Sequence, residues 1–390
     1  MAQNINGEFM VETINCLTAL AKSEITGEKI DISFNADARF DNIIKAARLH
    51  EMAHLAAAAM IKNNLLTDEK NIKTAERLVY EASYRDVKNN NTYELAVKAL
   101  SEAKIPFVPL KGVLIKPFYP ESWMRTSCDV DILVHKSDFE KSVKLFENMG
   151  FTIDGDLNFH DASMLFDDSN LELHFSICEN MRNIDAVLKK VWENTVNAGD
   201  YKYLQTNEYF MFHHIAHMTY HFLAGGCGIR PFLDLWILRQ KLSYDEEKVI
   251  EFCKIAKIYD FYKAVLMLTD VWFEGKEHTD LTKQMEKYLL AGGAYGYFPN
   301  NAAAYTVMHG GKVRYVLSIA FPKYVNMKAL YPTLNHFPYL LPYFYVYRVF
   351  QKTVGRNSAS AKSKFGIIKG QGDDFIKEVS TLVKALKLDK

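Results

Sequence analysis

The spacing of hydrophobic residues divides the chain into a strand-rich middle between two helical regions. Apolar residues three and four positions apart predict amphipathic helices over residues 8–22, 37–61 and 67–104. After the middle, the same period predicts helices over 184–195, 207–223, 229–242, 245–257, 259–273, 279–291 and 375–388. Helix therefore dominates on both sides of the strand-rich part.

Apolar runs of β-forming residues and period-two alternation predict a sheet in the middle of the chain. The predicted strands are 105–110, 130–134, 151–154, 163–166 and 171–177, with a helix over 138–149 among them. The short gap at 167–170 is typical of a hairpin, so we expect the last two strands to be antiparallel. These elements predict the α+β class, with a small mixed sheet flanked by large N- and C-terminal helical regions.

The predicted domain boundaries follow the same pattern. Residues 1–91 form an N-terminal helical region, 92–180 the strand-containing unit, and 181–390 a C-terminal helical region. Within the last of these, residues 351–374 are rich in lysine, serine and glycine, which predicts a mobile basic segment.

Composition and charge exclude several classes of protein. The 47 basic and 47 acidic residues balance, so the net charge does not steer the chain toward nucleic acid or an anionic membrane. The five cysteines are scattered and no signal peptide is visible, which favours a cytoplasmic location. Residues 329–347 lack charge, but three prolines interrupt them, so we expect no membrane span. Residues 351–374 contain Phe365 as their single aromatic residue, so this basic segment carries no strong signal for nucleic-acid binding.

The clearest chemical signal is an Asp-x-Asp pair at the start of a predicted strand. Side chains two residues apart on a strand share a face, so Asp129 and Asp131 present two carboxylates together. Two such charges repel each other unless a cation lies between them. Glu172 and His174 occupy the polar face of strand 171–177, which makes Glu172 a third candidate ligand. Carboxylate oxygens of this kind suit Mg²⁺.

The order of these motifs resembles the nucleotidyltransferase superfamily, with its polymerase-β-like fold, and is similar in detail to the uncharacterised nucleotidyltransferase family within it. The first matching residues are Leu110-Lys111-Gly112, Tyr119-Pro120, Arg125 and Asp129-Val130-Asp131-Ile132-Leu133-Val134. The later ones are His217, Arg230 with Asp234, Phe321-Pro322, Tyr331-Pro332, and Leu340-Leu341-Pro342 with Arg348. The resemblance covers about residues 40–350. Most of the superfamily has Gly-Ser where this chain has Lys111-Gly112, a departure shared with the branch.

The resemblance implies a Mg²⁺-dependent nucleotidyltransferase, which moves a nucleoside monophosphate from an NTP to an acceptor and releases pyrophosphate. Two Mg²⁺ ions, with Mn²⁺ as a substitute, would be held by Asp129, Asp131 and Glu172. The residues expected to bind the NTP phosphates are Lys111, Gly112 and Arg125. The partners would be the NTP and an acceptor of open identity: a small molecule, a sugar or a protein.

A cleft over the acids is expected from the order of the elements. The helix over 207–223 follows the Glu172 strand with one predicted helix between, so a short connection can fold it back over the carboxylates. We therefore predict a cleft between residues 105–180 and the helices of 207–242. The residues predicted to form its wall are His174, His217, Arg230 and Asp234.

Two other functions fit the same sequence. His213, His217 and His221 are spaced four residues apart on one helical face, and histidines so spaced can bind zinc or iron. With Asp234 as the nearest acid, they would form a His/Asp metal-dependent phosphohydrolase. The same histidines could instead only line a packed groove. The remaining alternative is a nucleotide-binding module without catalytic activity.

Overall fold

The computed structural model of the chain describes residues 7–30, 35–154, 161–179, 181–354 and 358–389. The helices are α1 (Gly7–Thr26), α2 (Ala36–Leu49), α3 (Ala53–Lys62), α4 (Glu69–Glu102), α5 (Gly112–Ile115), α6 (Phe139–Asn148), α7 (Arg182–Leu188), α8 (Asn207–Leu223), α9 (Arg230–Lys241), α10 (Glu246–Ile255), α11 (Tyr259–Glu274), α12 (Asp280–Gly292), α13 (Phe298–Met308), α14 (Lys312–Ala320), α15 (Tyr324–Leu330), α16 (Leu341–Thr353), α17 (Ser358–Gly370) and α18 (Asp373–Ala385). The strands are β1 (Phe107–Pro109), β2 (Asp129–Val134), β3 (Thr152–Ile153), β4 (Asp161–Phe166), β5 (Ser169–His174), β6 (Thr195–Asn197) and β7 (Tyr203–Gln205).

The first five strands form one mixed sheet in the order β1-β2-β5-β4-β3. The strands β2 and β5 are parallel, and the other neighbours are antiparallel. The predicted hairpin of β4 and β5 is therefore confirmed. A predominantly helical chain with a small mixed sheet also confirms the predicted α+β class.

The apolar face of this sheet packs against α4 and α6. Its core side chains include Val130, Ile132, Leu171 and Leu173 from the strands and Ala96, Leu100 and Phe146 from the helices. Burial of each large aliphatic side chain contributes about 1.5–3 kcal/mol to folding. Because strand side chains alternate between faces, the residues between these core positions on β2 and β5 must lie on the opposite face.

A buried amide in α4 holds the starts of the two central strands. The Nδ2 atom of Asn89 donates to the Ser127 carbonyl oxygen at 2.9 Å, and its Oδ1 atom accepts from Ser169 Oγ at 2.8 Å. Ser127 lies two residues before β2 and Ser169 opens β5. Leaving either partner unsatisfied in the interior would cost about 1–3 kcal/mol, so Asn89 stabilises the relative positions of the two strands.

Two predicted helices differ in the structure, and one small sheet was not predicted. The helix predicted over 37–61 is divided into α2 and α3, because Glu51 has a φ of 56°, a left-handed conformation that an α-helix cannot continue through. The helix predicted over 184–195 ends at Leu188, and β6 and β7 form an unpredicted two-stranded sheet. Three residues per strand are too few to show alternation.

The basic segment 351–374 differs as well, since α17 occupies residues where the sequence pattern predicts a mobile loop. Residues 355–357 lie outside the described part of the chain. In α17, Ile368 is buried in a small cluster with Ala302 and Tyr315. Packing of one apolar face thus outweighs the weak helical propensity of a segment rich in serine and glycine.

Two compact units divide the chain. The first comprises Met1–Tyr220 and Gly228–Thr282 and contains both sheets. The second comprises His221–Cys227 and Lys283–Lys390 and includes α13 to α18. Among the helices of the described residues, none has the length and apolar character needed to cross a membrane.

Candidate active site

The register of β2 and β5 brings the predicted acids together. Asp131 is the pairing partner of Glu172, and Asp129 is the partner of Asn170. Register partners project to the same side of a sheet, so these side chains all lie on the face opposite the apolar core. Asp131 is buried, whereas the Glu172 side chain is 28% exposed. The carboxylates therefore line a surface that opens toward solvent at Glu172.

A group of three potential metal ligands lies at the centre of this face. One ligand atom from each of Asp131, Glu172 and His174 lies within 4.8 Å of the others. The Nε2 atom of His174 is 2.8 Å from Asp131 Oδ1 and 3.6 Å from Glu172 Oε2. Two carboxylates and an imidazole can together ligate a divalent cation. His174, which the sequence predicts for the cleft wall, thus lies among the candidate ligands.

Lys111 provides the positive charge beside these acids. Its Nζ atom lies 2.9 Å from Asp131 Oδ1. The residue has φ 48° and ψ −117°, a conformation that is sparsely populated for a residue with a side chain. It lies in the turn between β1 and the short helix α5. This turn aims the lysine side chain at the sheet face that carries the carboxylates.

Burial and the charges of neighbouring residues shift the pKa values within this cluster. Burial and the Asp131 charge raise the pKa of Asp129, and burial with both aspartate charges raises the pKa of Glu172 to about 7. Burial acts the same way on Asp131, but Lys111 and His174 outweigh it and hold its pKa well below the usual range. Burial disfavours the charged lysine, yet the acids raise the pKa of Lys111. One lysine does not offset three carboxylates, and this imbalance favours binding of a divalent cation.

Gly112 permits a close approach between the turn and the segment before β2. A Cβ atom built on Gly112 would lie 3.3 Å from the Ser127 Cβ atom and 3.8 Å from Arg125 Nη1. Distances near 3.3 Å require the neighbouring atoms to shift. The glycine therefore sets the spacing between the Lys111 turn and the strand that carries Asp129 and Asp131.

Arg125, predicted to bind phosphate, is buried against Asp234. Its Nε atom donates to both carboxylate oxygens of Asp234, at 2.8 and 3.0 Å, and Tyr119 Oη donates to Asp234 Oδ1 at 2.7 Å. Burial opposes ionisation of Asp234, but the Arg125 charge keeps its pKa below the usual value. Asp234 lies on α9, so this cluster attaches the segment between α5 and β2 to that helix.

Arg230 lies beside the acids, at the start of α9. Its Nη1 atom donates to Glu51 and, at 3.3 Å, to the carbonyl oxygen of Thr126. Thr126 precedes Asp129 by three residues, and the Arg230 charge acts to lower the pKa of Asp129. Of the predicted wall residues, Arg230 therefore interacts electrostatically with Asp129, whereas the carboxylate of Asp234 binds Arg125.

His217 on α8 is oriented by a buried carboxylate. Its Nδ1 atom lies 2.9 Å from Glu179 Oε1, which requires a proton on Nδ1 and leaves the lone pair of the ring on Nε2. Burial, followed by the Lys111 charge, holds the pKa of His217 well below its usual value. The imidazole is therefore neutral at neutral pH, and it interacts electrostatically with Lys111 and Asp131.

The other histidines of α8 have partners within the protein. His213 Nδ1 lies 3.2 Å from Gln205 Nε2, and His214 Nε2 lies 2.9 Å from the Pro231 carbonyl oxygen. His221 belongs to the second compact unit, whereas His213 and His217 belong to the first. Within the described residues, the group with metal-ligand spacing is the one on β2 and β5, and it contains none of these histidines.

Three acidic residues near the site were not predicted from the sequence. Glu179 follows β5 and binds His217, and Glu51 binds Arg230 from the break between α2 and α3. Asp161 opens β4, and its Oδ2 atom lies 3.9 Å from His174 Nδ1. Asp161 pairs with His174 in the sheet, but β4 begins two residues before the predicted strand 163–166, so the prediction did not include it. Loop residues such as Glu179 carry no periodic signal.

Comparison with known proteins adds one result. The sequence profile of the family described as "Uncharacterised nucleotidyltransferase" matches residues 36–274, which include both acid-bearing strands and the helices α8 and α9. Comparisons with curated proteins and with solved structures found no match. The matched residues make up more than half of the 390-residue chain. They contain the Asp-x-Asp strand and the neighbouring strand that carries Glu172. The chain therefore belongs to the uncharacterised nucleotidyltransferase family.

Proposed function

We propose that the protein is a Mg²⁺-dependent nucleotidyltransferase that moves a nucleoside monophosphate from an NTP to an acceptor and releases pyrophosphate. The observation that carries the proposal is the alignment of Asp131 with Glu172 on adjacent parallel strands, with Asp129 on the same face. Family membership supports the reaction class. The cluster lies on the sheet face opposite the apolar core.

The carboxylates fit a divalent cation. Asp129, Asp131 and Glu172 would hold it, and His174, in contact with Asp131, would be a further ligand when Mn²⁺ is bound. A bound divalent cation would neutralise charge on the phosphates and lower the pKa of the acceptor hydroxyl. Burial together with the neighbouring negative charges raises the Glu172 pKa to about 7, and the charge part of this rise supports the fit because a cation would remove the repulsion.

The basic residues divide into two roles in this proposal. Lys111 is partly exposed next to Asp131, where it would bind the β- and γ-phosphates and offset charge on the leaving pyrophosphate. Gly112 allows the backbone of the turn to approach closely. Arg125 is buried, with Nε bound to Asp234 and Nη1 to the Thr126 carbonyl oxygen, so we assign it the positioning of this turn and not direct phosphate contact.

The acceptor would bind along the wall formed by His217 and Arg230. The neutral His217 ring, with Nδ1 held by Glu179, has its lone pair on Nε2 and can accept a proton or hydrogen bond from an acceptor hydroxyl. Arg230 would hold an anionic group of the acceptor or of the NTP. A small molecule, a sugar or a protein side chain meets these requirements.

The five free cysteines support a reducing, cytoplasmic setting.

The test measures pyrophosphate release from each NTP with Mg²⁺ or Mn²⁺ and candidate acceptors. We expect Asp131→Asn and Asp129→Asn to lose at least about a hundredfold in rate, since each removes a ligand that acts in the transition state. Asp41→Asn, on the exposed face of α2, is the matched control. Turnover by the Asp131 variant at the wild-type rate would refute the proposal. Stabilisation by Zn²⁺, with none by any NTP and Mg²⁺, would instead favour the phosphohydrolase.

A further inference from the structure

The second compact unit contains a long stretch without acidic residues. Residues 288–372 contain ten lysine and arginine residues and no aspartate or glutamate. Since the whole chain has a net charge of zero, the rest of the protein carries a net charge of −10. The stretch also lies beyond residues 36–274, so the family match does not account for it. Such a separation of charge gives this part of the surface a strong preference for anionic partners.

The same stretch exposes many large apolar side chains. Fifteen of the twenty-seven exposed large hydrophobic residues in the described part of the chain lie between residues 313 and 365. They include aliphatic residues such as Val313, Leu317 and Val325 as well as tyrosines and phenylalanines. A concentration of this kind marks a surface that is covered by a partner when the protein functions.

The helix α16 shows how this surface is organised. Tyr343, Val346, Tyr347 and Phe350 are 39–71% exposed and recur at helical spacing, so they form one apolar stripe toward solvent. Beside the stripe, Phe344 stacks on the Tyr331 ring with centroids 4.5 Å apart. On the other side of the helix, the Tyr345 hydroxyl donates to the Pro322 carbonyl oxygen at 2.7 Å. No side chain of α16 is buried, so the stripe is an exposed face of a helix that the rest of the chain covers only in part.

Beside α16 lies a cavity of about 560 Å³ that is lined by both apolar and basic residues. The basic ones are Arg348, Lys352, Lys362 and Lys364, and none of the described residues that line the cavity is acidic. Burial and the charges of Arg348 and Lys364 lower the pKa of Lys352, so these cations repel one another without a counter-charge. The cavity has the chemistry of a site for an anion that carries an apolar chain.

We propose that the described residues of 312–370, here called the basic apolar surface, bind the surface of an anionic lipid membrane. The apolar stripe of α16 would enter the boundary between headgroups and acyl chains, and the surrounding lysines and arginines would contact lipid phosphates. Tyrosine and lysine are well suited to this depth, since each combines an apolar body with a polar end.

Two other occupants fit the observations less well. A nucleic acid would use the aromatic rings and cations, but exposed valines and leucines cannot stack on bases and gain most from an acyl environment. A second copy of the chain would bring two surfaces of the same charge together, and like charges at an interface are costly. An anionic bilayer complements both the charge and the aliphatic character.

The experiment measures sedimentation of the full chain with vesicles of phosphatidylcholine, with and without phosphatidylglycerol, at ~0.1 M and ~0.5 M salt. We expect binding to the anionic vesicles that weakens at the higher salt. Val346→Glu with Phe350→Glu should reduce binding about tenfold or more, as should Lys323→Glu with Lys362→Glu. The matched control is Tyr80→Glu with Val87→Glu, which places the same charges at exposed apolar positions of α4 and should bind like the wild type. Circular dichroism and melting temperature establish that each variant is folded.

Several results would overturn the proposal. The first is that the folded wild type does not bind anionic vesicles. The second is that the α16 variant binds them as well as the wild type does. The third is that the α4 control loses as much binding as the α16 variant. Binding to single-stranded RNA without binding to vesicles would assign the surface to nucleic acid. A change of oligomeric state by the α16 variant, measured by light scattering without vesicle binding, would assign it to a second copy. Vesicle binding needs no NTP, so it is independent of the proposed catalytic activity.

Discussion

Glu172→Gln is predicted to stabilise the metal-free protein at high pH and to weaken its stabilisation by Mg²⁺. Glu172 is partly buried beside Asp131 and Asp129, and burial together with their charges raises its pKa from 4.5 to about 7. The folded protein therefore binds a proton at Glu172 more tightly than the unfolded chain does. Ionisation of this residue opposes folding, and glutamine keeps the size of the side chain without the charge.

The magnitude follows from the difference between the two pKa values. A rise of about 2.5 units corresponds to about 3 kcal/mol, because each unit is worth 1.36 kcal/mol. Because the pKa of Glu172 is raised in the folded state, the stability that its bound proton contributes is present below about pH 4.5 and is lost as the pH rises to about 7. Glutamine and the protonated acid are equivalent at low pH, so the variant should gain up to about 3 kcal/mol over the wild type only above pH 7. The remaining exposure of the side chain, 28%, makes this an upper limit.

The assay is urea denaturation at pH 5 and pH 8, in EDTA and with excess Mg²⁺. In EDTA we expect the free energy of unfolding of the variant to exceed that of the wild type by up to about 3 kcal/mol at pH 8 and by less than about 1 kcal/mol at pH 5. With Mg²⁺ the wild type should regain stability at pH 8, since the cation binds the folded carboxylates, and the variant should respond much less. Glu147→Gln, an exposed residue of α6, is the control and should change neither quantity.

One outcome would refute this reasoning. If Glu172→Gln is as stable as the wild type or less stable at pH 8 in EDTA, the carboxylates do not repel one another in the folded state. The argument for a cation between them then fails. Equal stabilisation of both proteins by Mg²⁺ would locate the cation elsewhere.

Two further predictions concern the residues around the acids. Asp234→Asn leaves Arg125 buried without its carboxylate and should lower the free energy of unfolding by about 3–5 kcal/mol. Tyr119→Phe removes one neutral hydrogen bond and should lower it by only about 1 kcal/mol. Equal losses of the two variants in denaturant titrations would contradict the buried ion pair. His217→Gln keeps a donor for Glu179, so the melting temperature should change little while pyrophosphate release falls at least about tenfold; unchanged turnover would remove His217 from the acceptor wall.

Local patterns in the sequence were sufficient for most of the elements. Helix α8 occupies the residues that the apolar period predicts, 207–223, and β2 extends the predicted strand 130–134 by one residue. The alternation in β5 also predicted that Glu172 and His174 share a polar face, which the register confirms. These results depend on periods of 3.6 and 2 residues, which are properties of a single segment.

The contacts that define the site were decided by tertiary structure. Lys111 pairs with Asp131, Arg125 is bound by Asp234, 109 residues away, and His217 is held by Glu179. Each of these pairs joins segments whose separation is set by how helices pack on the sheet, and no periodicity within either segment encodes that distance. The sequence therefore determined which residues carry charge and which face of a strand they occupy. Only the packed fold decided which charge lies next to which, because an ion pair depends on a few ångströms between atoms that are remote along the chain.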